Sequence, residues 1–185
     1  MFTIAGQPYS EIDDRVLQHR GAIVDLGCVR WDWSMCFVGR KRVIGADPLA
    51  EDLAGTELFR GLVGPATGEI EFIAAEDLST IVNAANGNPD VSSVPMLNWK
   101  AFCTRYKIQD IAALKINIEG GEYGLLADLD SNDYAKIDQI AVSFHDWRWP
   151  ERKSATSAAL FRFGLEGFDV RQINQALNWH LAVKS

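Results

Sequence analysis

The sequence predicts an α/β fold: an open, mostly parallel central sheet with helices on both faces and an antiparallel strand near the C-terminus. Apolar strand-like runs alternate with helical patterns along most of the chain, which is the signature of such sheets. Two early strands, residues 22–27 and 41–48, each end in an acidic residue beside a turn former. Residues 110–129 read as strand, glycine turn and helix in one unit.

The last of these is the most informative. Leu114, Ile116 and Ile118 alternate with Lys115, Asn117 and Glu119, a period of two. Gly120-Gly121 breaks the strand, and Tyr123, Leu126 and Leu129 follow at helical spacing. Strands buried in a parallel sheet are normally apolar on both faces. A polar row leading into a glycine turn therefore describes a strand end that lines a cleft, where open α/β sheets bind ligands. The competing description is an edge strand with one solvated face.

The totals narrow the function. A chain of 185 residues suits one domain, 1–185, with a real core. The net charge of −7 argues against nucleic-acid binding, which needs clustered Lys and Arg. No apolar run approaches the roughly 18 residues of a membrane span. Residues 1–6 lack a basic region followed by an apolar core, so no secretory signal is expected. Cys28, Cys36 and Cys103 show no Cys-x-x-Cys spacing and read as free thiols of a reducing compartment; the expected location is cytoplasmic.

Taken in order, Ser10 caps a covering helix over residues 1–20, with Ile12, Val16 and Leu17 as its apolar stripe. Strand 22–27, a short Trp-rich segment at 28–39 and strand 41–48 form a right-handed βαβ unit. Residues 57–63 and 69–73 read as a strand pair around the turn at 64–68. Within 75–97, Leu78, Ile81, Val82 and Ala85 give a helix face stopped by Gly87, while Ser92-Ser93 is loop chemistry; this stretch is expected to be a loop or lid. Trp99, Phe102, Cys103 and Tyr106 mark an amphipathic helix with Asn98 as its cap. Residues 137–144 form a strand ending in His145-Asp146-Trp147, residues 154–164 a helix, and 168–170 and 179–183 a closing hairpin.

Three constellations could carry chemistry. Asp25-Leu26-Gly27, with Asp47 about twenty residues on, is the general nucleotide arrangement: a turn that admits a ligand to the backbone and an acid for ribose hydroxyls. Strand-end capping by carboxylates is the alternative. Glu119, Glu122, His145 and Asp146 form the second; Glu119 and His145 each end a strand and would reach one crevice if those strands are neighbours. A histidine or carboxylate there could take a proton from a hydroxyl, and His145 suits that by its near-neutral pKa; a satisfied structural histidine is the alternative. No ligand spacing supports a metal site. Trp31, Trp33, Trp147 and Trp149 could stack on a sugar or adenine, or bury core area.

The stretch Leu114-Lys115-Ile116-Asn117-Ile118-Glu119-Gly120-Gly121-Glu122 resembles the hallmark of FkbM-type methyltransferases, Lys-Ile-Asp-Ile-Glu-Gly-Ala-Glu after two or three apolar residues. Asn117 stands where that family usually has Asp, and Gly121 where it has Ala. The resemblance runs from about residue 22 to the end of the chain, and only the hallmark is specific. It implies a Rossmann-like class I methyltransferase fold and transfer of a methyl group from S-adenosyl-L-methionine to an oxygen of a glycan or small natural product. It further implies that Asp25, Gly27 and Cys28 meet the methionine part of the cofactor, that Asp47 holds the ribose, and that Asn117 lies on the site floor. His145 and Glu119 would be catalytic, and Glu122 and Trp147 would face the substrate. The family loop usually reads Gly-Ala-Asn-x-Gly. Here Val29, Arg30 and Trp31 occupy that region, so cofactor affinity weaker than about 1 μM is expected, since two lost hydrogen bonds at ~1 kcal/mol each cost more than tenfold. A non-catalytic binding protein on the same fold is the competing function.

Overall fold

The computed structural model describes residues 2–3, 11–73, 80–81 and 91–185. Its strands are β1 (Phe2–Thr3), β2 (Glu11–Ile12), β3 (Ala22–Leu26), β4 (Val43–Ala46), β5 (Thr56–Phe59), β6 (Leu62–Gly64), β7 (Gly68–Ile73), β8 (Thr80–Ile81), β9 (Val91–Asn98), β10 (Ile111–Ile116), β11 (Gln139–Ser143), β12 (Phe168–Asn174) and β13 (Trp179–Lys184). The α-helices are α1 (Trp99–Arg105), α2 (Glu122–Asp128), α3 (Ser131–Ala135) and α4 (Lys153–Leu165).

Seven strands form the main sheet in the order β12-β13-β11-β10-β3-β4-β5. All neighbours from β11 to β5 are parallel, and β13 runs antiparallel to β11 and β12. This is the predicted mostly parallel sheet with its antiparallel strand near the C-terminus. β10 is the fourth of the seven strands and is buried along its whole length, so the edge-strand description of the polar row is wrong. The strand ends one residue before Asn117, and its polar continuation belongs to the turn.

The two faces of the sheet are covered differently. One carries the four α-helices of the described residues: Trp99 and Phe102 of α1, Leu125 and Leu126 of α2, Tyr134 of α3 and Phe163 of α4 pack on Val24, Leu114, Ile116 and Val142. Asn98 caps α1 by accepting from Ala101 N–H at 2.8 Å, as its position before the apolar stripe predicts. On the other face, single 3-10 turns replace long helices. Trp31, Trp33 and Phe37 from the segment after β3, with Ile12 and Val16, pack on Ile23, Val43 and Ala113. Large aromatic rings cover there what a helix would otherwise cover.

Three expectations about local structure are corrected. The N-terminal covering helix is instead strand β2 followed by a 3-10 turn at Asp14–Leu17 capped by Asp13; Ser10 lies outside the described residues. Asp13 N–H donates to Gln139 Oε1 at 2.9 Å while Gln139 Nε2 donates to Asp13 O at 3.1 Å, a clamp that holds this backbone extended against β11. A stripe of three apolar residues is also too short to nucleate a helix on its own. Residues 57–63 are not one strand: β5 ends at Phe59, and β6 leaves the main sheet for a four-stranded one ordered β6-β9-β7-β8. β6 and β7 therefore do not pair with each other; each pairs with β9 between them. Ser92-Ser93 lies within β9, opposite Phe72 and Glu71, rather than in a loop, and Ile81 is in β8 rather than on a helix. Leu78, Val82, Ala85 and Gly87 lie outside the described residues.

Candidate functional site

The parallel strands deliver their C-terminal ends to one edge of the sheet, and a cavity of about 290 Å³ opens there. It sits at the lower end of the roughly 300–1,000 Å³ of small-molecule sites. Its walls are the loop after β3, from Gly27 to Trp33, the end of β10, the end of β11 and the start of β13. Of the predicted residues, Asp25, Gly27, Cys28, Asn117, Glu119, His145 and Trp147 line it; Asp47 and Glu122 do not.

A buried ion pair forms the floor. Lys115 and Asp25 are register partners on adjacent parallel strands. Lys115 Nζ lies 3.0 Å from Asp25 Oδ1 and donates to Gly27 O at 2.5 Å, while Ser34 Oγ donates to Asp25 Oδ2 at 2.6 Å. Both side chains are nearly inaccessible, at 6% and 0% exposed. The pair thus ties β10 to the loop that opens after β3. Gly27 takes φ +82°, and a Cβ there would overlap the carbonyl oxygen of Asn117. The glycine is required by the close approach of two strand-end loops. Later in the loop Trp31 is also left-handed (φ 56°). Burial first, then the neighbouring carboxylates Asp25 and Asp47, push the Cys28 thiol far up, which makes it an inert wall group.

The second cluster joins the ends of β10 and β11, which are parallel neighbours. His145 opens the turn after β11 and is 3% exposed. Its Nδ1 lies 3.1 Å from Glu122 Oε1 and its Nε2 lies 3.2 Å from Glu119 Oε1. Glu122 is fully buried and also accepts His145 N–H at 3.0 Å and Gly120 N–H at 2.8 Å. Glu119 and Gly120 are both left-handed (φ 48° and 95°), which turns the chain sharply into α2. For a non-glycine residue this conformation is strained by about 1–3 kcal/mol, and such strain concentrates at functional sites. Arg148 Nη1 stands 3.7 Å from Glu119 Oε2, with its guanidinium 4.8 Å from the Trp149 ring centre.

This geometry sets the charge of His145. Carboxylates only accept hydrogen bonds, so two of them facing both ring nitrogens favour the imidazolium. Burial alone would lower its pKa, but the bonds to Glu119 and Glu122 outweigh it and raise the value to about 9. The near-neutral base expected from sequence is therefore a cation at pH 7. Glu122 is buried behind the cavity wall and bonds the His145 ring. Folding stability follows with a definite sign. A histidine raised from 6.5 to about 9 contributes fully below pH ~6.5 and loses its contribution as pH rises through ~9, roughly 3 kcal/mol in all. Denaturation midpoints should fall more between pH 7 and about pH 10 in the wild type than in His145→Gln. Equal slopes would mean that His145 is neutral.

Asp47, at the end of β4, accepts Leu49 N–H at 2.7 Å, and burial raises its carboxyl pKa. The Trp31 ring lies where a Cβ on Gly45 would go, two residues before Asp47, and its Nε1 donates to Glu51 O at 2.8 Å. Trp147 stands half exposed at the cavity rim. Sequence reading missed Ser143, Leu177 and Trp179 in the wall. Ser143 and Trp179 are register partners, and Ser143 Oγ donates to Leu177 O at 3.0 Å. Lys115 was visible as part of the polar row, but its partner Asp25 was not. Among the described residues no group of three or more His, Cys, Asp or Glu is placed to hold a metal ion.

No protein-family model matches the chain, and no curated protein matches it in sequence. Among solved structures, the methyltransferase FkbM from Methylobacillus flagellatus KT shares the fold, with a TM-score of 0.52 over 96% of this chain at 15% identity. The match covers 48% of that protein, so the chain spans about half its length. The likeness is one of fold, an α/β Rossmann-like sheet.

Proposed function

We propose that the protein is an S-adenosyl-L-methionine-dependent O-methyltransferase acting on a hydroxyl of a glycan or small natural product. The observation that carries this reading is Glu119, fixed by His145 at 3.2 Å on the wall of the cavity that the loop after β3 also lines. When bound, the cofactor supplies an electrophilic methyl group. The residues of the chain do the rest. The Asp25–Gly27 loop and Asn117 form the wall for its amino-acid end. Glu119 accepts the hydroxyl proton as the oxygen is alkylated. The His145 cation, itself anchored on Glu122, orients that carboxylate and balances its charge. A base so placed contributes about 10²–10⁴ to the rate. Trp147 at the rim offers an aromatic face to the acceptor.

The residues present fit the amino-acid end of the cofactor best. The loop contains Trp33 Nε1, buried and with no hydrogen-bond partner among the described residues, and Asp25 Oδ1 is likewise met only by the Lys115 ammonium. A second reading, a binding protein on the same fold, is favoured by Asp47, which lies outside the cavity with Oδ1 bound to Leu49. Calorimetry with S-adenosylhomocysteine and NAD, followed by screening of labelled methyl transfer onto glycans and metabolites, separates the two. The expected result is S-adenosylhomocysteine binding weaker than ~1 μM and transfer that Glu119→Gln lowers by about 10²–10⁴-fold. Binding of NAD alone would end the methyltransferase reading. No binding at millimolar S-adenosylhomocysteine would favour the binding protein.

A further inference from the structure

The main sheet ends at β12, and among the described residues nothing pairs with the outer side of that strand. The hydrogen bonds of β13 show which groups face outward. Ser185 N–H donates to Gly167 O, while Lys184 N–H turns the other way, to Asp138 O beside β11. Antiparallel pairs alternate in this manner. Gly167, Asp169 and Arg171 therefore aim their backbone groups at β13, and Phe168, Val170 and Gln172 aim theirs off the sheet. An open row of N–H and C=O groups on a seven-residue strand is a template for another strand.

The strand is complementary to itself. When two copies pair antiparallel, outward residues must meet outward residues, so the two-fold axis passes between one residue and its own copy. An axis at Val170 sets Phe168 against Gln172 of the second copy, and Asp169 against Arg171, in both directions. Asp169 and Arg171 then stand at the non-hydrogen-bonded positions, where facing side chains are closest. Arg171 also interacts within its own chain, and the five donors of a guanidinium serve more than one acceptor. An axis at Asp169 or at Arg171 would instead set like charges face to face.

The helix above this edge fits the same pairing. Phe163 of α4 packs on Phe168 of β12. Arg162 and Glu166, on one side of α4, bond Ser131 of α3. At about 100° per residue, Ser157 and Gly164 fall on the opposite side, with Phe161 beside them. Phe161 is 70% exposed, the most of any large apolar residue described. Strands about 4.8 Å apart would bring helices seated over two such hairpins roughly 10 Å apart across the axis, a distance at which helices pack.

We infer that the chain forms a two-fold homodimer through β12, its main sheet continuous across an axis at Val170 and its two copies of α4 packed beside that axis. Sedimentation velocity tests this. The wild type should run as a dimer at about 100 μM. Asp169→Arg turns both charge contacts repulsive, as does Arg171→Asp, and each should weaken the dimer by at least about tenfold. An equimolar mixture of these two variants restores both contacts and should dimerise as the wild type does, a result that damage to the fold cannot give. Val170→Pro removes an outward N–H and keeps the pairing with β13, so it should give a folded monomer by circular dichroism. A wild type that stays monomeric, as it would if another protein's strand takes this edge, overturns the inference. So does a dimer that Asp169→Arg and Val170→Pro leave intact, or a mixture no better associated than either charge variant alone. If Arg171→Asp fails to fold, Asp169→Arg and Val170→Pro still decide.

Discussion

Lys115→Met is expected to destabilise the protein by about 3–5 kcal/mol, because it leaves Asp25 buried without its counter-charge. Asp25 has no solvent exposure, and among the described residues its Oδ1 meets only the Lys115 ammonium, at 3.0 Å. The ammonium also binds Gly27 O, so the same change frees the loop that begins the cavity. Replacing both partners has a different outcome. Asp25→Leu with Lys115→Met removes the uncompensated charge and should recover most of the loss, since apolar replacement of a whole buried pair is often neutral or better. Urea denaturation of the single and double variants measures both. A single variant within about 1 kcal/mol of wild type would show that water or another cation reaches Asp25.

Gly27→Ala should cost about 2–5 kcal/mol, combining a left-handed penalty of 1–2 with an overpacking term of 1–3. At φ +82° any side chain is strained, and here the added Cβ meets the Asn117 carbonyl. Gly39→Ala is the internal control. Its φ is +79°, but nothing lies within 4 Å of the position its Cβ would take. It should show the conformational penalty alone. If the two variants lose the same stability, the contact between the two loops is not what demands glycine at position 27.

Much of the fold was readable because its determinants are local. The alternation in 114–119, the Gly120-Gly121 break and the spacing of Tyr123 and Leu126 place β10, its turn and α2; Asn98 before Trp99 places the start of α1. The parts that were not readable depend on distant partners. β2 is extended because Gln139, 126 residues away, clamps Asp13. β9 contains Pro95 and two exposed serines, so it shows no apolar period, and its strand character comes from pairing with β6 and β7. The site divides in the same way. Glu119 and His145 were visible as strand-end residues. The charge on His145 was not, because it is set by Glu119 and Glu122 together, which meet the two ring nitrogens from opposite sides only in the folded turn. Ser143, Leu177 and Trp179 enter the wall only through the antiparallel register of β11 and β13.

Aromatic rings in place of helices on one face of the sheet also make the protein its own optical reporter. Of six tryptophans, Trp31, Trp33, Trp147 and Trp179 line the cavity, and Trp149 lies within 6.3 Å of the His145 ring, while Trp99 alone belongs to the helical core. Intrinsic emission is therefore weighted toward the site. A solute that enters the cavity alters the fluorescence directly, without a label, and emission tracks the tryptophan-lined face of the sheet more closely than the helical one.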